Sequence, residues 1–247
     1  SARRAGNVYV LNGTKRFITN APEAGLFTVM ARTNPEIAGA GGVSAFIVEA
    51  GTPGLSIGKP EHKMGQHGTH VADVIFEDCH IPVANLIGER EGQGFKTAMR
   101  VLDKGRLGIA AACVGFAERI LGESIAYAND RIQFGKSIGE FQLVQAMIAD
   151  SRTEIIAAKA MVLETARAKD AGHDVGVEAS ACKLFASEMV GRVADRNVQI
   201  HGGSGYVSDY PAERHYRDVR LYRIYEGTSE IQRLKIGRDT LRAARES

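Results

Sequence analysis

Residues 223–232 read Arg-Ile-Tyr-Glu-Gly-Thr-Ser-Glu-Ile-Gln and hold one carboxylate, Glu226, between an aromatic residue and a Gly-Thr-Ser run. A helix start follows at Thr228 or Ser229, where Ser229 and Gln232 have the spacing of a capping box. Two chemistries fit Glu226. It is either a loop acid favoured by the positive end of a helix macrodipole, or a base held in a tight turn over a substrate. The ten residues alone do not choose.

Other groups invite the same double reading. His62, His67 and His70 suggest a metal, but no Asp, Glu or Cys partner stands at a diagnostic spacing, so they read as surface or edge-strand residues. The Gly202-Gly203-Ser204-Gly205-Tyr206 run could cradle a phosphate through backbone N–H groups, or simply end a helix. It does not follow a strand, so it is not the fingerprint of a dinucleotide-binding βαβ unit. Arg131-Ile132-Gln133-Phe134-Gly135-Lys136 joins two helical stretches; it is a solvated loop, or an arginine gripping a pyrophosphate. Asp103 with Arg106 reads most simply as an exposed i,i+3 ion pair.

The elements that must position these groups come in two kinds. Residues 1–91 are β in character. Val8–Leu11 and Thr14–Thr19 flank Asn12-Gly13, a strong hairpin signal, and Phe27–Ala31, Val43–Val48 and Val71–Phe76 are further strand-like runs between turn residues. From Gly92 the period becomes helical: Ala98, Leu102, Ile109, Cys113, Phe116 and Ile120 form a stripe. A second helix follows from Phe141 to Val162, and a third over Ala181–Val198 ends near Gly202-Gly203. Pro211 opens a short helix, and a last one runs to about Arg245. The expected fold class is α+β: a partial antiparallel β-barrel or sandwich domain (1–91), then an antiparallel α-helical bundle (92–247).

The totals narrow the field. With 247 residues and a formal net charge of +2, the chain has no basic block that would suit nucleic acid. No apolar run is long enough to cross a membrane. Cys79, Cys113 and Cys182 are far apart and form no C-x-x-C pair, which suits a reducing compartment: the cytoplasm, or the mitochondrial matrix in a eukaryote. The sequence opens without an initiator Met and runs at once into a strand-like pattern, as expected of part of a longer polypeptide.

Several segments, in order along the whole chain, carry a resemblance. They are Phe17-Ile18-Thr19-Asn20, Asp73–Cys79 with Ile81-Pro82, Leu102-Asp103-Lys104-Gly105-Arg106, Arg131–Lys136, Gln199–Tyr206, Arg217-Asp218 and Tyr225-Glu226-Gly227-Thr228-Ser229. Together they resemble the acyl-CoA dehydrogenase family, and most closely its short-chain members. The family's N-terminal helical domain and the first part of its β domain have no counterpart here. His67 stands where many relatives have Arg.

The resemblance implies an FAD-dependent enzyme that converts an acyl-CoA thioester to a trans-2-enoyl-CoA; the alternatives are an acyl-CoA oxidase-like flavoenzyme on the same scaffold, or an inactive fragment or scaffold subunit lacking the N-terminal domain. Glu226 matches the catalytic base that takes the α proton while the β hydrogen leaves as hydride to the flavin. A free carboxylate is too weak for that task. The site must exclude water and aim donors at the developing enolate, a role the family gives to the backbone N–H of this Glu and a flavin hydroxyl. Some relatives carry their base where this chain has Gly105, which leaves Glu226 as the matching candidate.

Phe17 and Thr19 resemble residues packed on the flavin, with Phe17 standing where many members have Trp. Arg131, Gln133, Phe134, Phe141, Gln142, Gln199 and Gly203 match positions that hold the FAD of a neighbouring subunit, which implies a homodimer or homotetramer. Thr228 and Glu230 match FAD contacts from the last loop. Asp103, Arg106 and Gly227 match positions near the CoA substrate. The expected electron acceptor is an electron-transfer flavoprotein, and no metal is implied.

Overall fold

The computed structural model describes residues 1–246, apart from the side chains of Arg100, Asp103 and Lys104. It divides into two compact units, Ser1–Val101 and Leu102–Ser247.

The first unit holds β1 (Ala2–Ala5), β2 (Val8–Thr19), β3 (Leu26–Arg32), β4 (Val43–Glu49), β5 (Leu55–Ile57) and β6 (Val71–Pro82). They form a four-stranded antiparallel sheet, β1-β2-β6-β5, and a β3-β4 pair. Both sheets turn apolar faces to one core; the Tyr9 ring of β2 lies 4.9 Å from that of Phe46 on β4. Burial keeps the phenol of Tyr9 protonated up to about 12, helped by its 2.5 Å hydrogen bond to Glu91.

The alternation along β6 changes phase midway. Ala72, Val74 and Phe76 are buried, then Cys79 and Ile81. One extra residue near Asp78 (φ +45°) causes the switch, because the register passes from Gly13↔Phe76 to Leu11↔Cys79. This bulge explains why Asn12-Gly13 is not a hairpin turn. β2 runs straight through it, and Asn12 spends its amide on the bulge: Nδ2 donates to Asp78 Oδ1 at 3.0 Å and Asp78 N–H to Asn12 Oδ1 at 2.9 Å. The hairpin falls earlier, between β1 and β2 at Gly6 (φ +61°). A second bulge lies in β2 itself, where the register slips between Lys15 and Ile18 and Phe17 adopts φ +57°.

The helical elements are α1 (Gly94–Asp130), α2 (Gln142–Asp170), α3 (Gly176–His201), α4 (Gly203–Tyr206), α5 (Ala212–Val219) and α6 (Ser229–Glu246). A two-residue ribbon, β7 (Ile132–Gln133) with β8 (Lys136–Ser137), joins α1 to α2. Within the second unit, Ala110, Cys113, Ala117 and Ile120 project from α1 at helical spacing onto Ile155, Ala158 and Val162 of α2. Helix α3 is the middle of the bundle, touching α2, α5 and α6 and buried on several faces. Small residues such as Ala186 and Ala194 let its neighbours approach closely. No described helix is long and apolar enough to cross a membrane.

Helix α6 is tied electrostatically at Asp239, whose carboxylate accepts from Arg238 Nε and Lys235 Nζ, both at 2.9 Å. These donors hold its pKa near about 2, below the ordinary 3.8. A carboxylate that binds its proton less tightly when folded stabilises the fold at pH above about 4 and loses that contribution as pH falls toward 2. Asp239→Asn should therefore lower the unfolding free energy by about 1–2 kcal/mol at neutral pH. In denaturant titrations the gap should narrow from pH 4 downward; a gap independent of pH would show that the charge contributes nothing.

Candidate active site

The stretch between α5 and α6 makes a turn that few sequences could sustain. After a short 3₁₀ segment, Arg220–Arg223, Glu226 takes φ +55° and Gly227 φ +89°. Two consecutive left-handed residues are costly, on the order of 1 kcal/mol for the non-glycine. Glycine at 227 is required twice over, because a Cβ there would also lie 2.6 Å from Gln232 Nε2.

Polar side chains clamp this turn. Gln232 Nε2 donates to the carbonyls of Glu226 (3.0 Å) and Gly227 (3.1 Å). Lys183 of α3, fully buried, donates from Nζ to the Gly227 carbonyl at 2.7 Å. Ser229 Oγ donates to Glu188 Oε1 at 2.6 Å, and Arg223 reaches the other oxygen of Glu188 at 3.3 Å. The capping box expected from Ser229 and Gln232 is therefore not formed, since both side chains serve the turn. Thr228 Oγ1 takes the capping role, accepting from Ile231 N–H at 3.4 Å.

The turn aims the Glu226 carboxylate at α1. A Cβ on Gly105 would sit 2.6 Å from Glu226 Oε2, so the glycine leaves the space the carboxylate fills. Oε2 is buried and has no hydrogen-bond partner among the described residues. A buried carboxylate oxygen without a donor costs stability. Arg106, next along α1, is buried, whereas the side chain of Asp103 lies outside the described residues.

A second cluster gathers elsewhere in the same bundle. Helix α1 ends as Arg131 N–H donates to the Tyr127 carbonyl, and the ribbon turns through Phe134 (φ +52°) and Gly135 (φ +82°). Phe134 is 92% exposed and stands edge-on to Phe141, over which Lys136 is poised at 4.7 Å. The Tyr127 ring stacks on His201 at 4.1 Å, and its hydroxyl meets Ser204, which brings the end of α3 against the end of α1. Exposed Arg131, Gln133, Gln142 and Gln199 and the open backbone at Gly203 thus share one end of the bundle. Lys183 and Gln199 are separated by sixteen residues of α3, roughly 24 Å of helix. The Glu226 turn and this polar end are therefore two stations on one helix, not one pocket.

Thr228 and Glu230 belong to the first station. Hydrogen bonds from its own backbone N–H and from Thr228 hold the Glu230 carboxyl below its ordinary range. In the β unit, Phe17 is 62% exposed on its bulge with Arg16 over its ring, and Thr19 is exposed two residues on. His62, His67 and His70 are exposed; His70 pairs with Glu23, and the His67 ring meets the Lys63 carbonyl. Among the described residues, no three His, Cys, Asp or Glu side chains converge as a metal site.

Sequence reasoning missed Lys183, Glu188 and the turn-clamping role of Gln232. One signal was available: Lys183 interrupts the apolar stripe of α3 at Ala181-Cys182-Lys183-Leu184-Phe185-Ala186. A lysine at a core position needs a buried acceptor.

Comparison with known proteins gives this geometry its context. Residues 1–79 match the acyl-CoA dehydrogenase middle domain and residues 92–241 the acyl-CoA dehydrogenase C-terminal domain. The chain is 50% identical over 236 residues to an acryloyl-CoA reductase (NADH) of Anaerotignum propionicum, covering 96% of this chain and 59% of that protein. It is 45% identical over 245 residues to the mitochondrial short-chain specific acyl-CoA dehydrogenase of Homo sapiens, covering 99% of this chain and 59% of that one. A chain from structural work on the electron transferring flavoprotein of Acidaminococcus fermentans superimposes with a TM-score of 0.94 at 46% identity, covering 98% of this chain and 63% of that one. The chain thus spans about three-fifths of the length of these relatives. Matched by both models in order, it belongs to the acyl-CoA dehydrogenase family, of which it carries the C-terminal domain and much of the middle domain.

Proposed function

We propose that the polypeptide containing this chain is an FAD-dependent acyl-CoA dehydrogenase with Glu226 as its catalytic base. The observation that carries this reading is the buried, donorless oxygen of Glu226, held over Gly105 by a strained and clamped turn. A carboxylate oxygen that accepts nothing keeps its lone pair for a substrate proton. Glu226 would take the proton from the carbon α to the thioester, leaving that C–H electron pair as an enolate. The turn's fixed backbone would offer an N–H to the thioester oxygen, where charge develops.

The family's relatives are FAD-dependent flavoproteins. The residues present suit such a ligand: an exposed cation, several amides, an exposed aromatic face and open glycine backbone at one end of the bundle. Arg131 would grip the pyrophosphate, with Gln133, Phe134, Phe141, Gln142, Gln199 and Gly203 around it. By the family resemblance Phe17 and Thr19, and Thr228 and Glu230, would also contact FAD, and Arg106 and Gly227 would meet the acyl-CoA, with Asp103. FAD held by these residues would supply the acceptor for the β hydrogen, which leaves as hydride. Because the two stations stand roughly 24 Å apart on α3, one copy cannot use both on one ligand, which favours a homodimer or homotetramer. An electron-transferring flavoprotein is the proposed acceptor, in keeping with the relative solved in that context. Buried free thiols at Cys79, Cys113 and Cys182 suit the cytoplasm or a mitochondrial matrix.

The likeness to an acryloyl-CoA reductase favours a second reading, the same site run in reverse. Glu226 would then return a proton to the α carbon of an enoyl-CoA. Anaerobic flavin bleaching by acyl-CoAs, against reoxidation of the reduced flavin by enoyl-CoAs, measures which direction is favoured.

In the full-length enzyme, Glu226→Gln should retain FAD and lower turnover by about two to four powers of ten; near-normal turnover would remove Glu226 from the chemistry. Gly105→Ala should push the carboxylate aside and lower turnover with flavin still bound, as steady-state kinetics and flavin absorbance together would report. Arg131→Ala should weaken FAD retention through loss of a charge-assisted contact. Flavin occupancy and affinity equal to wild type would contradict that assignment.

A further inference from the structure

Lys183 has no place in the chemistry above, yet its burial is costly. It is 0% exposed in the first third of α3, and among the described residues its side chain forms no ion pair. Its one hydrogen bond runs 2.7 Å to the Gly227 carbonyl. Burial pushes the pKa of its ammonium down, while Cys113, Glu188 and Glu226 nearby push it back up and Arg106 adds to the fall. Cations without a paired carboxylate are seldom kept in cores, because desolvation outweighs one neutral acceptor.

The target of the bond explains the expense. The Gly227 carbonyl has two lone pairs, and both are used, by Lys183 Nζ and Gln232 Nε2. Gln232 also holds the Glu226 carbonyl. The peptide planes on both sides of Gly227 are thus fixed, and with them the left-handed pair that aims Glu226 over Gly105. Gln232 cannot do this alone. It lies on α6, the element that follows the turn, and would move with it. Lys183 lies on the central helix and fastens the turn to the body of the bundle.

We propose that Lys183 is a positioning residue for the catalytic base, a buried ammonium that pins the strained Glu226–Gly227 turn to α3. This rests on the reading of Glu226 as the base. The ammonium touches no reacting atom; it holds the backbone from which the carboxylate projects. Substrate binding elsewhere along the acyl-CoA would not depend on it.

The test is Lys183→Met in the full-length FAD-bound enzyme, which removes donor and charge but keeps most of the side-chain volume. The change removes the desolvation cost of a buried cation together with its one bond to a neutral carbonyl, so the variant is expected to fold. Hydrogen–deuterium exchange of the peptide spanning residues 222–232 should quicken at least about tenfold, with exchange in α1 and α2 unchanged. Turnover should fall about 10- to 100-fold with little change in KM, the split expected when orientation rather than binding is lost. Should Lys183→Met not fold, Lys183→Gln keeps a polar group in the core and is read in the same two ways. Unchanged exchange at the turn overturns the proposal, and so does a loosened turn with normal kcat in an enzyme that Glu226→Gln inactivates. If Glu226→Gln is itself active, the base assignment fails, while the exchange experiment still decides whether Lys183 holds the turn.

Discussion

The structure of the second unit depends on a conflict confined to two residues. Glu226 and Gly227 are both left-handed, a geometry that an isolated peptide would abandon. It persists because their carbonyls are held by Gln232 and by a lysine buried in the central helix. What the strain achieves is direction. A carboxylate leaving a left-handed residue points into α1, where Gly105 makes room, and one of its oxygens is buried with no donor among the described residues. Local stability is given up to hold this carboxylate in one direction.

Helix α3 carries this arrangement and the other one. Lys183 near its beginning anchors the turn, while Gln199 and His201 at its end shape the polar station with Tyr127, Arg131 and Gly203. Its interior is lined with small or slender residues such as Ala186 and Ala194, so its neighbours approach closely and its polar residues find buried partners. Asn197 accepts from Ser124 at 2.7 Å by the same logic as Lys183 and Gly227. A rigid rod with a polar attachment at each end fixes the spacing between stations more firmly than loops could.

The β unit follows a parallel rule with cheaper means. Its two bulges, at Asp78 in β6 and Phe17 in β2, each insert one residue and turn a side chain out of phase. At Asp78 the result is structural, since the core alternation resumes on the other parity and Asn12 seals the gap. At Phe17 it leaves a large aromatic ring exposed on the sheet, where an ordinary alternating strand would have hidden it or replaced it.

The amino-acid order by itself determined the two-part architecture. Turn residues between β-branched runs can only close an antiparallel sheet, and an apolar stripe from Ala98 to Ile120 can only be buried by a partner helix. It left Glu226 open between a helix-start acid and a base, while the ordered set of short motifs placed the chain in its family. The tertiary structure alone decided the details that contradict local rules. Asn12-Gly13, a hairpin signal in isolation, lies within a continuous strand because Asp78 claims the Asn12 amide. Ser229 and Gln232 have capping-box spacing, yet Ser229 binds Glu188 on α3 and Gln232 the carbonyls of the turn just before it. Lys183 acquires its meaning only from Gly227, forty-four residues away. Periodicity records which face of a segment is buried; it carries no record of which buried acceptor that face will meet.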